Sequence, residues 1–533
     1  VYQGDNRYSI KDIVFIQQKA ELVGKYGFIR AFETTEDAGN SYDLVYTATK
    51  LLESQKRDDF WYSDYGTGYR LARVDNGMGV EESLEYARAY ADGDTPYGRA
   101  MLIPGTPEFE QKFNEITSNS DFKSGGTKFY DKSRLRNIEY QLKFEPSKWK
   151  SFLPEQLKLG GNFRRYDPNS NGTIFSDTLI DANDISKGYV DLQTDEAGQY
   201  INIEKNVYGD FIKFIGSLRY DWHQNFTPFY TPSASLIIKS SETDRIRLTY
   251  TQASRNPTLQ DQYLDYDIGI AQLKGNIDGI DYIPVEDYYG DEGFIFTRNI
   301  GYQKTISPIK PEKVRTAEIG YKGIVFKNIY VDASYYYSLY NHFLGYIIGF
   351  QVNDSTYNEQ QQRTEYDVDA RPTRFAANAV SEVTTQGFSL GLNYYFPEYF
   401  SVSANYTFSE LIKSDKNDPL IPYFNTPKNK LNVGFSCRDY KNFGFNVSYK
   451  WVQGFDYYGS PQFTGSIDAY GLLDFQVNYT LPKYHSRIKV GASNVLNNLH
   501  YEAYGAPLIG RLGYVSFNYD FNLGAPKVAP KKI

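Results

Sequence analysis

Apolar and polar residues alternate one by one along several stretches of this chain. The stretches 400–409, 443–451, 473–481 and 515–521 all show this alternation. In a β-strand, successive side chains point to opposite faces of the sheet, so each stretch predicts a strand with one apolar face. At about ten residues, these strands are about twice the usual length, which is typical of strands that cross a membrane.

The connections between the predicted strands alternate in length. Short connections such as 323–328 and 482–485 take turns with long ones such as 254–311 and 497–510. A soluble β-sandwich also has alternating strands, but tight turns at one rim and long loops at the other are typical of an up-and-down barrel. The sequence therefore predicts an all-β fold, a large antiparallel transmembrane β-barrel with periplasmic turns and extracellular loops.

A minority of the chain reads as helix. Helical patterns cover 41–56, 80–91 and 106–118, the last with Pro107 in its first turn. We interpret this region as a large, partly helical extracellular loop, with an independent small domain as the alternative. The predicted organisation is a first visible strand plus this loop at 1–133, the barrel at 134–521 and a periplasmic tail at 522–533.

Composition excludes several other classes of protein. The 533 residues include 51 Tyr and 35 Phe but one Cys, with a net charge of -8 and a mean hydropathy of -0.55. One cysteine excludes a disulfide framework, the acidic balance argues against a nucleic-acid partner, and the abundant aromatics argue against disorder. The sequence contains no nucleotide-binding loop and no hydrolase motif, so we expect no enzymatic activity.

Three segments together resemble one family. They are Tyr-Thr-Gln-Ala-Ser-Arg-Asn-Pro-Thr-Leu-Gln-Asp-Gln-Tyr at 250–263, Lys-Pro-Glu followed by Glu-Ile-Gly-Tyr within 310–322, and Ala-Ser-Asn-Val-Leu-Asn-Asn at 492–498 before the last strand. In this order and spacing they are similar to the barrel of TonB-dependent outer-membrane receptors, in their Bacteroidetes-type branch. The resemblance covers nearly the whole chain.

The resemblance implies a receptor in the outer membrane of a Gram-negative bacterium. Such a receptor binds a nutrient at its extracellular loops and imports it with energy from the inner-membrane TonB complex. Further partners implied are outer-membrane lipid, a surface lipoprotein lid or other complex subunits, with bound calcium or lipopolysaccharide as candidate ligands. The alternative is a receptor-like barrel that acts as a non-transporting scaffold subunit of an outer-membrane complex.

The resemblance also implies strands beyond those recognisable here. Family barrels have about 22 strands around a plug domain, whereas roughly 16 are recognisable here, the first near 26–33. The chain starts at Val1 without an initiator Met or signal peptide, so we expect a C-terminal portion of a longer protein. We also expect residues to be missing near 212–214, because 208–220 lacks an evident turn.

Candidate binding residues lie in the acidic, aromatic loop 254–311. The predicted substrate-binding residues are Asp265, Tyr266, Asp267, Asp287, Tyr288 and Tyr289. Carboxylates beside aromatic rings suit a sugar, a cation or a cationic peptide, and calcium would need six to eight oxygen ligands. The competing interpretation is a solvent-exposed acidic loop without a site, and no metal-ligand spacing decides between them.

One strand supplies candidates for the inside of the barrel. Asp332, Ser334 and Tyr336 alternate with apolar residues along the stretch 329–337. This pattern predicts that the three side chains face the lumen. There they would contact the plug or the substrate, and we favour the plug.

Overall fold

The principal element of the chain is one antiparallel sheet of seventeen long strands, of the barrel type. The computed structural model describes residues 2–3, 7–181, 184–268, 271–285, 287, 303–358, 363–369, 371–396, 398–413, 415, 417–422, 424–459 and 464–521. The barrel strands are β1 (Val14–Gly24), β2 (Gly27–Asp37), β3 (Arg134–Phe144), β4 (Gln156–Asp167), β5 (Thr194–Tyr208), β6 (Ile212–His223), β7 (Phe226–Lys239), β8 (Arg245–Arg255), β9 (Glu312–Val325), β10 (Ile329–Asn341), β11 (Val383–Tyr395), β12 (Phe400–Lys413), β13 (Asn429–Tyr440), β14 (Phe443–Val452), β15 (Tyr470–Leu481), β16 (Ser486–Ser493) and β17 (Leu512–Tyr519).

Each barrel strand pairs with its neighbours along the chain, in the up-and-down order that the connections predict. The predicted fold class is therefore confirmed. The expectation that the first strand lies near 26–33 is wrong, because β1 precedes it. The alternation in β1 is irregular, since Phe15 and Ile16 are adjacent and Gln18 shares a face with Ala20 and Leu22.

The structure contains the turn that the sequence does not show in 208–220, and the expectation of missing residues near 212–214 stays a prediction. Strands β5 and β6 form a hairpin, and the N–H of Phe211 donates a 3.0 Å hydrogen bond to the carbonyl of Tyr208. Gly209 adopts a φ of +48°, which a glycine reaches without strain. The turn is therefore formed by 209–211, between two strands that the sequence alone did not separate.

The two faces of the sheet differ in chemistry. One face exposes large apolar side chains such as Leu248, Ile319 and Tyr335. The other face is polar, and small hydroxyl side chains on adjacent strands bond to each other across it. These pairs are Ser233–Thr251 (3.4 Å), Ser235–Thr249 (2.9 Å), Thr316–Ser338 (2.8 Å), Ser334–Ser389 (2.9 Å) and Ser401–Ser436 (2.7 Å).

Long connections fold into a second sheet at one end of the barrel, which we call the loop sheet. Its strands are Asp265–Asp267, Gln272–Lys274, Ile280–Pro284, Lys304–Ile306, Leu344–Asn358, Arg363–Val368, Thr373–Asn378 and Ile421–Pro422. The sheet has its own core, in which Phe375 and Ala377 are fully buried beside Tyr282, Phe343 and Leu420. Phe455–Tyr458 and Thr464–Ile467 form a separate two-stranded sheet nearby in sequence.

Helices occupy the connection between β2 and β3. They are α1 (Leu44–Glu53), α2 (Asp58–Arg70), α3 (Val80–Asp92) and α4 (Pro107–Ser118), with a π-turn at Leu71–Asp75 and a short α5 (Leu259–Tyr263) later in the chain. Single 3-10 turns lie at Phe122–Ser124, Pro146–Lys148, Ile185–Lys187 and Pro482–Tyr484. The sequence predicts α1, α3 and α4 but misses α2. None of the described helices is long and apolar enough to cross a membrane.

A buried ion pair holds α2 and α3 together as a helical hairpin. The side chains of Lys56 and Asp64 are fully buried, and their charged atoms lie 2.7 Å apart. The ammonium of Lys56 also donates to the carbonyl oxygens of Ala91 (2.8 Å) and Gly93 (3.0 Å) at the end of α3. Gly68 lets the helices approach closely, because a Cβ there would lie 2.9 Å from the Cβ of Tyr90.

The helices, the loop sheet and the N-terminal strands pack into one cap over the barrel, which we call the canopy. The short strands Tyr2–Gln3, Arg7–Ser9 and Tyr42–Asp43 form a three-stranded sheet within it. Phe129 from the helical connection packs against Tyr266 and Leu273 from the loop sheet. The predicted division at 133/134 remains a prediction, and the predicted tail at 522–533 lies outside the described residues.

The face assignment predicts the effect of a charge on the apolar side. Val447 pairs with Phe435 and Phe475 on the apolar face, whereas Ser448 pairs with Gly434 and Asp474 on the polar face. In a lipid bilayer, Val447→Arg should destabilise the barrel by about 2–4 kcal/mol, or block its insertion. Ser448→Arg is the matched control and should insert normally in a refolding assay. Equal insertion of the two variants would contradict this assignment of the faces.

The buried ion pair predicts a local loss of stability in the helical hairpin. Lys56→Met leaves the carboxylate of Asp64 buried without its counter-charge, so we expect a loss of about 3–5 kcal/mol. Hydrogen exchange of the α2 and α3 amides measures this loss. Arg57→Met is the control, because Arg57 and Asp59 form an exposed pair worth at most about 1 kcal/mol. Slow exchange in both variants would contradict a structural role for the buried pair.

Candidate functional site

A cavity of about 760 Å³ lies between the polar face of β4–β8 and the segment that follows β8. This volume is within the range of about 300–1,000 Å³ that is usual for ligand pockets. The wall side contributes Arg164, Thr194, Glu196, Arg219, Asp221 and His223. The opposite side is formed by the turn 256–258 and by α5.

The charges that line the cavity are balanced. The guanidinium of Arg164 lies 3.0 Å from a carboxylate oxygen of Glu196, and that of Arg219 lies 2.7 Å from Asp221. The ring nitrogen Nδ1 of His223 accepts a 3.1 Å hydrogen bond from the N–H of Asn225, so the ring is neutral. Two cations therefore face two anions, and the cavity has no net charge from these five side chains.

Two polar atoms in the cavity lining lack partners among the described residues. They are Oγ1 of Thr194, a residue that is 1% exposed, and Oδ1 of Asn256. Buried polar atoms are normally hydrogen-bonded, because desolvating them without a partner is unfavourable. Both atoms are buried beneath the cavity surface, so their hydrogen-bonding capacity is unused in the structure.

The segment over the cavity is fixed by a short capped helix and by the turn between β6 and β7. The hydroxyl of Thr258 accepts the N–H of Asp261 and caps α5. The amide of Asn225 in that turn donates to Oε1 of Gln262 (2.8 Å) and to the hydroxyl of Tyr263 (2.5 Å). The stretch 250–263, which the sequence singled out only as a family resemblance, therefore positions one side of this cavity.

A second, largely apolar cavity of about 510 Å³ adjoins the first at Gln260. Tyr8, Phe129, Tyr266 and Leu273 are among its lining residues, which come from the canopy. Together, the two cavities offer a polar, charge-balanced part and an aromatic part. Sequence reasoning missed both, because their walls come from segments that are far apart in the chain.

Of the residues that the sequence predicts for substrate binding, Asp265, Tyr266 and Asp267 form one strand of the loop sheet, and Asp287 follows another of its strands. Tyr266 is 4% exposed, and its hydroxyl bonds to the carboxylate of Asp43, whose pKa is raised by burial. Asp267 lies 2.6 Å from Arg371, Asp265 lies 3.7 Å from Lys274, and Asp287 lies 3.7 Å from Lys304. Tyr288 and Tyr289 lie outside the described residues. Of the four residues of this set that the structure describes, Tyr266 alone lines either cavity, and the assignment remains a prediction.

The residues that the sequence predicts to face the lumen share one face of β10. Tyr336 lies opposite Glu318 and Gly387 on the adjacent strands, and the hydroxyl of Ser334 bonds to that of Ser389. Asp332 lies 3.8 Å from Lys322 on the same polar face. What these side chains contact remains a prediction. Among the described residues, no group of three or more acidic, His or Cys side chains is placed to hold a metal ion.

The fold is that of an up-and-down β-barrel with two cavities under its long loops, and comparison with known proteins gives its family. A family model described as TonB dependent receptor-like, beta-barrel matches residues 11–497, so the chain belongs to the family of TonB-dependent receptor barrels. Its members are transport receptors, not enzymes. The Bacteroidetes-type branch remains a prediction. A comparison with curated proteins finds no match.

Several solved structures share this fold. The chain is similar to the siderophore receptor PirA from Acinetobacter baumannii, with 13% identity and a TM-score of 0.54 over 96% of this chain and 62% of that one. It is also similar to a mutant of the ferric enterobactin receptor PfeA from Pseudomonas aeruginosa (12%, 0.55, 95% and 61%) and to the FrpB iron transporter from Neisseria meningitidis (14%, 0.53, 95% and 63%). The chain therefore spans about three fifths of the length of these receptors.

The unpartnered hydroxyl in the cavity predicts an unusual mutational response. Thr194→Val removes a hydroxyl that bonds to no described atom, so the free energy of unfolding should stay unchanged or rise slightly. Thr249→Val on the same polar face is the control, because it breaks the bond to Ser235 and should lower that free energy by about 0.5–1.5 kcal/mol. Denaturant unfolding in detergent measures both. A larger loss for Thr194→Val would show that its hydroxyl has a structural partner.

Proposed function

We propose that the chain is the barrel of an outer-membrane receptor that binds a polar nutrient in the cavity under α5 and imports it with TonB-coupled energy. Membership of the TonB-dependent receptor family supports the outer-membrane location and the transport class. The charge-balanced cavity is the single observation that carries the binding proposal. It lies on the polar face of the barrel strands, directly below the canopy, where a nutrient passing the loops would arrive.

The lining of the cavity favours an uncharged, hydroxyl-rich or amide-rich nutrient. Each guanidinium already has a carboxylate partner, so a polyanion would have to displace Glu196 or Asp221 to reach it. A neutral molecule can instead bond to polar side chains of the lining such as the exposed Gln260, without breaking either ion pair. An uncharged iron chelate and a neutral sugar both belong to this class of uncharged polar nutrients. The iron chelate also accords with the similar solved receptors, which are named for siderophores or iron.

The scaffold alternative also has one observation in its favour. The helical hairpin exposes Tyr62 (69%), Val74 (71%) and Val80 (52%), and aromatic residues are enriched in protein interfaces. A non-transporting barrel would present this surface to other subunits. Under this alternative, a correctly assembled barrel takes up no solute from a broad panel, with or without an energised inner membrane.

Removal of one charge from the cavity tests the binding part of the proposal. The purified protein is titrated by calorimetry with neutral oligosaccharides, a neutral trihydroxamate iron chelate and, as the anionic comparison, ferric citrate. We expect the wild type to bind a neutral member at least about tenfold more tightly than ferric citrate, which corresponds to about 1.4 kcal/mol. Asp221→Asn frees the charge of Arg219 and should shift this ratio towards the anion by about tenfold or more.

The control for this test is Glu242→Gln, which removes an acidic side chain that is 92% exposed in a turn at the far end of the barrel. It should leave the ratio unchanged. Tight binding of ferric citrate by the wild type, with no binding of the neutral members, would refute the proposed nutrient class. Binding that is insensitive to Asp221→Asn would place the nutrient outside this cavity.

A further inference from the structure

Four of the turns at the end of the barrel away from the canopy carry the same pair of side chains, a lysine over an aromatic ring. The ammonium groups lie 5.4–5.9 Å from the ring centroids, within the range of cation–π contacts. The four pairs are Lys25 with Tyr26 (5.4 Å), Lys150 with Phe152 (5.9 Å), Lys441 with Tyr440 (5.5 Å) and Lys483 with Tyr484 (5.9 Å). We call them the turn pairs.

The turn pairs are exposed rather than packed into the fold. Tyr26 and Tyr484 are each 60% exposed, Phe152 is 72% exposed and Tyr440 is 43% exposed. Lys441 has a φ of +51° in the tight turn between its two strands. Large exposed aromatic rings beside cations are unfavourable in water alone, but they suit a membrane–water interface.

The lysines of the turn pairs form no ion pair with a described residue, although the carboxylate of Glu145 lies close enough to Lys25 to interact with it electrostatically. No carboxylate of the described residues lies within 4 Å of any of the four ammonium groups. Several cations at the canopy end of the apolar face instead have a carboxylate beside them. Those ion pairs are Arg136–Glu33 (3.0 Å), Arg165–Asp195 (2.7 Å), Arg315–Glu382 (3.2 Å) and Lys428–Glu410 (2.6 Å).

We propose that the turn pairs are binding sites for the phosphate of anionic phospholipids in the leaflet that faces the periplasm. The short turns of such barrels lie on that side of the outer membrane. The aromatic ring of each pair would lie at the level of the headgroups, and the unpaired ammonium would meet the phosphate. Charge complementarity selects an anionic headgroup, whereas the four cations named at the canopy end already have a carboxylate beside them. This inference rests on family membership and not on the proposed transport.

Spin-labelled lipids test the proposal on the intact protein in phosphatidylcholine vesicles. The measured quantity is the association of spin-labelled phosphatidylglycerol with the barrel, relative to spin-labelled phosphatidylcholine. We expect the wild type to favour phosphatidylglycerol. Each lysine-to-glutamine change should weaken its own site about fivefold, so the variant with Lys25, Lys150, Lys441 and Lys483 all changed to Gln should lose most of the preference.

Matched variants make the outcome specific. Changing Lys11, Lys112, Lys128 and Lys187 of the canopy to Gln removes the same charge from the other end and should leave the preference intact. Changing the four turn lysines to Arg keeps the charge and should retain it. Assembly of each variant is checked by resistance to unfolding in cold detergent, and the single variants Lys150→Gln and Lys483→Gln serve if the fourfold variant does not assemble.

Two results would overturn the proposal. One is an unchanged preference for phosphatidylglycerol in assembled Gln variants of the turn lysines. The other is an equal loss of preference in the canopy variant, which would show an effect of net charge without specific sites. Loss of co-sedimentation with peptidoglycan in the turn variants, with lipid preference unchanged, would assign the lysines to cell-wall peptides instead.

Discussion

The pairing register of the seventeen barrel strands is the constraint on which the rest of the structure depends. A shift by one residue in any strand would move all its apolar side chains to the other face. The register places Leu248 and Ile319 on one face, and Arg219, Ser334 and Tyr336 on the other. The apolar face, the hydroxyl pairs and the wall of the cavity all follow from this one alignment, because the register decides on which face of the sheet each side chain lies.

The canopy closes the cavity over this wall. Strand β8 ends at Arg255, and the turn that follows folds back over the wall, where Asn225 bonds to Gln262 and Tyr263. The cavity therefore exists only where a long connection meets the short turn between β6 and β7. The core of the loop sheet around Phe375 and the buried ion pair in the helical hairpin keep the remaining connections ordered above it.

Sequence patterns predicted the elements whose signal is local. Regular alternation located strands such as β12 and β14, and Pro107 in the first turn helped to locate α4 near its observed start. The irregular β1 was missed, and so was α2, which contains Gly66 and Gly68 and depends on close packing against α3. The cavity could not be predicted, because the contact between Asn225 and Gln262 joins residues 37 apart without any local pattern.

The hydroxyl pairs on the polar face affect how a molecule could move along the inside of the barrel. Between β7 and β13, many inward side chains are small and already bonded to a neighbour, as Thr316 is to Ser338. Where these hydroxyl pairs lie, the surface offers few free hydrogen bonds, so a molecule that moves along it has few bonds to break. Charged pairs such as Arg247 with Glu318 and Lys322 with Asp332 interrupt this surface. The hydroxyl pairs named above all lie between β7 and β13, whereas the polar face from β1 to β6 carries charged groups such as Arg30, Glu139 and Arg164. A molecule that moves along the charged side would have to break ion pairs, so movement along the two sides of the lumen would meet different resistance.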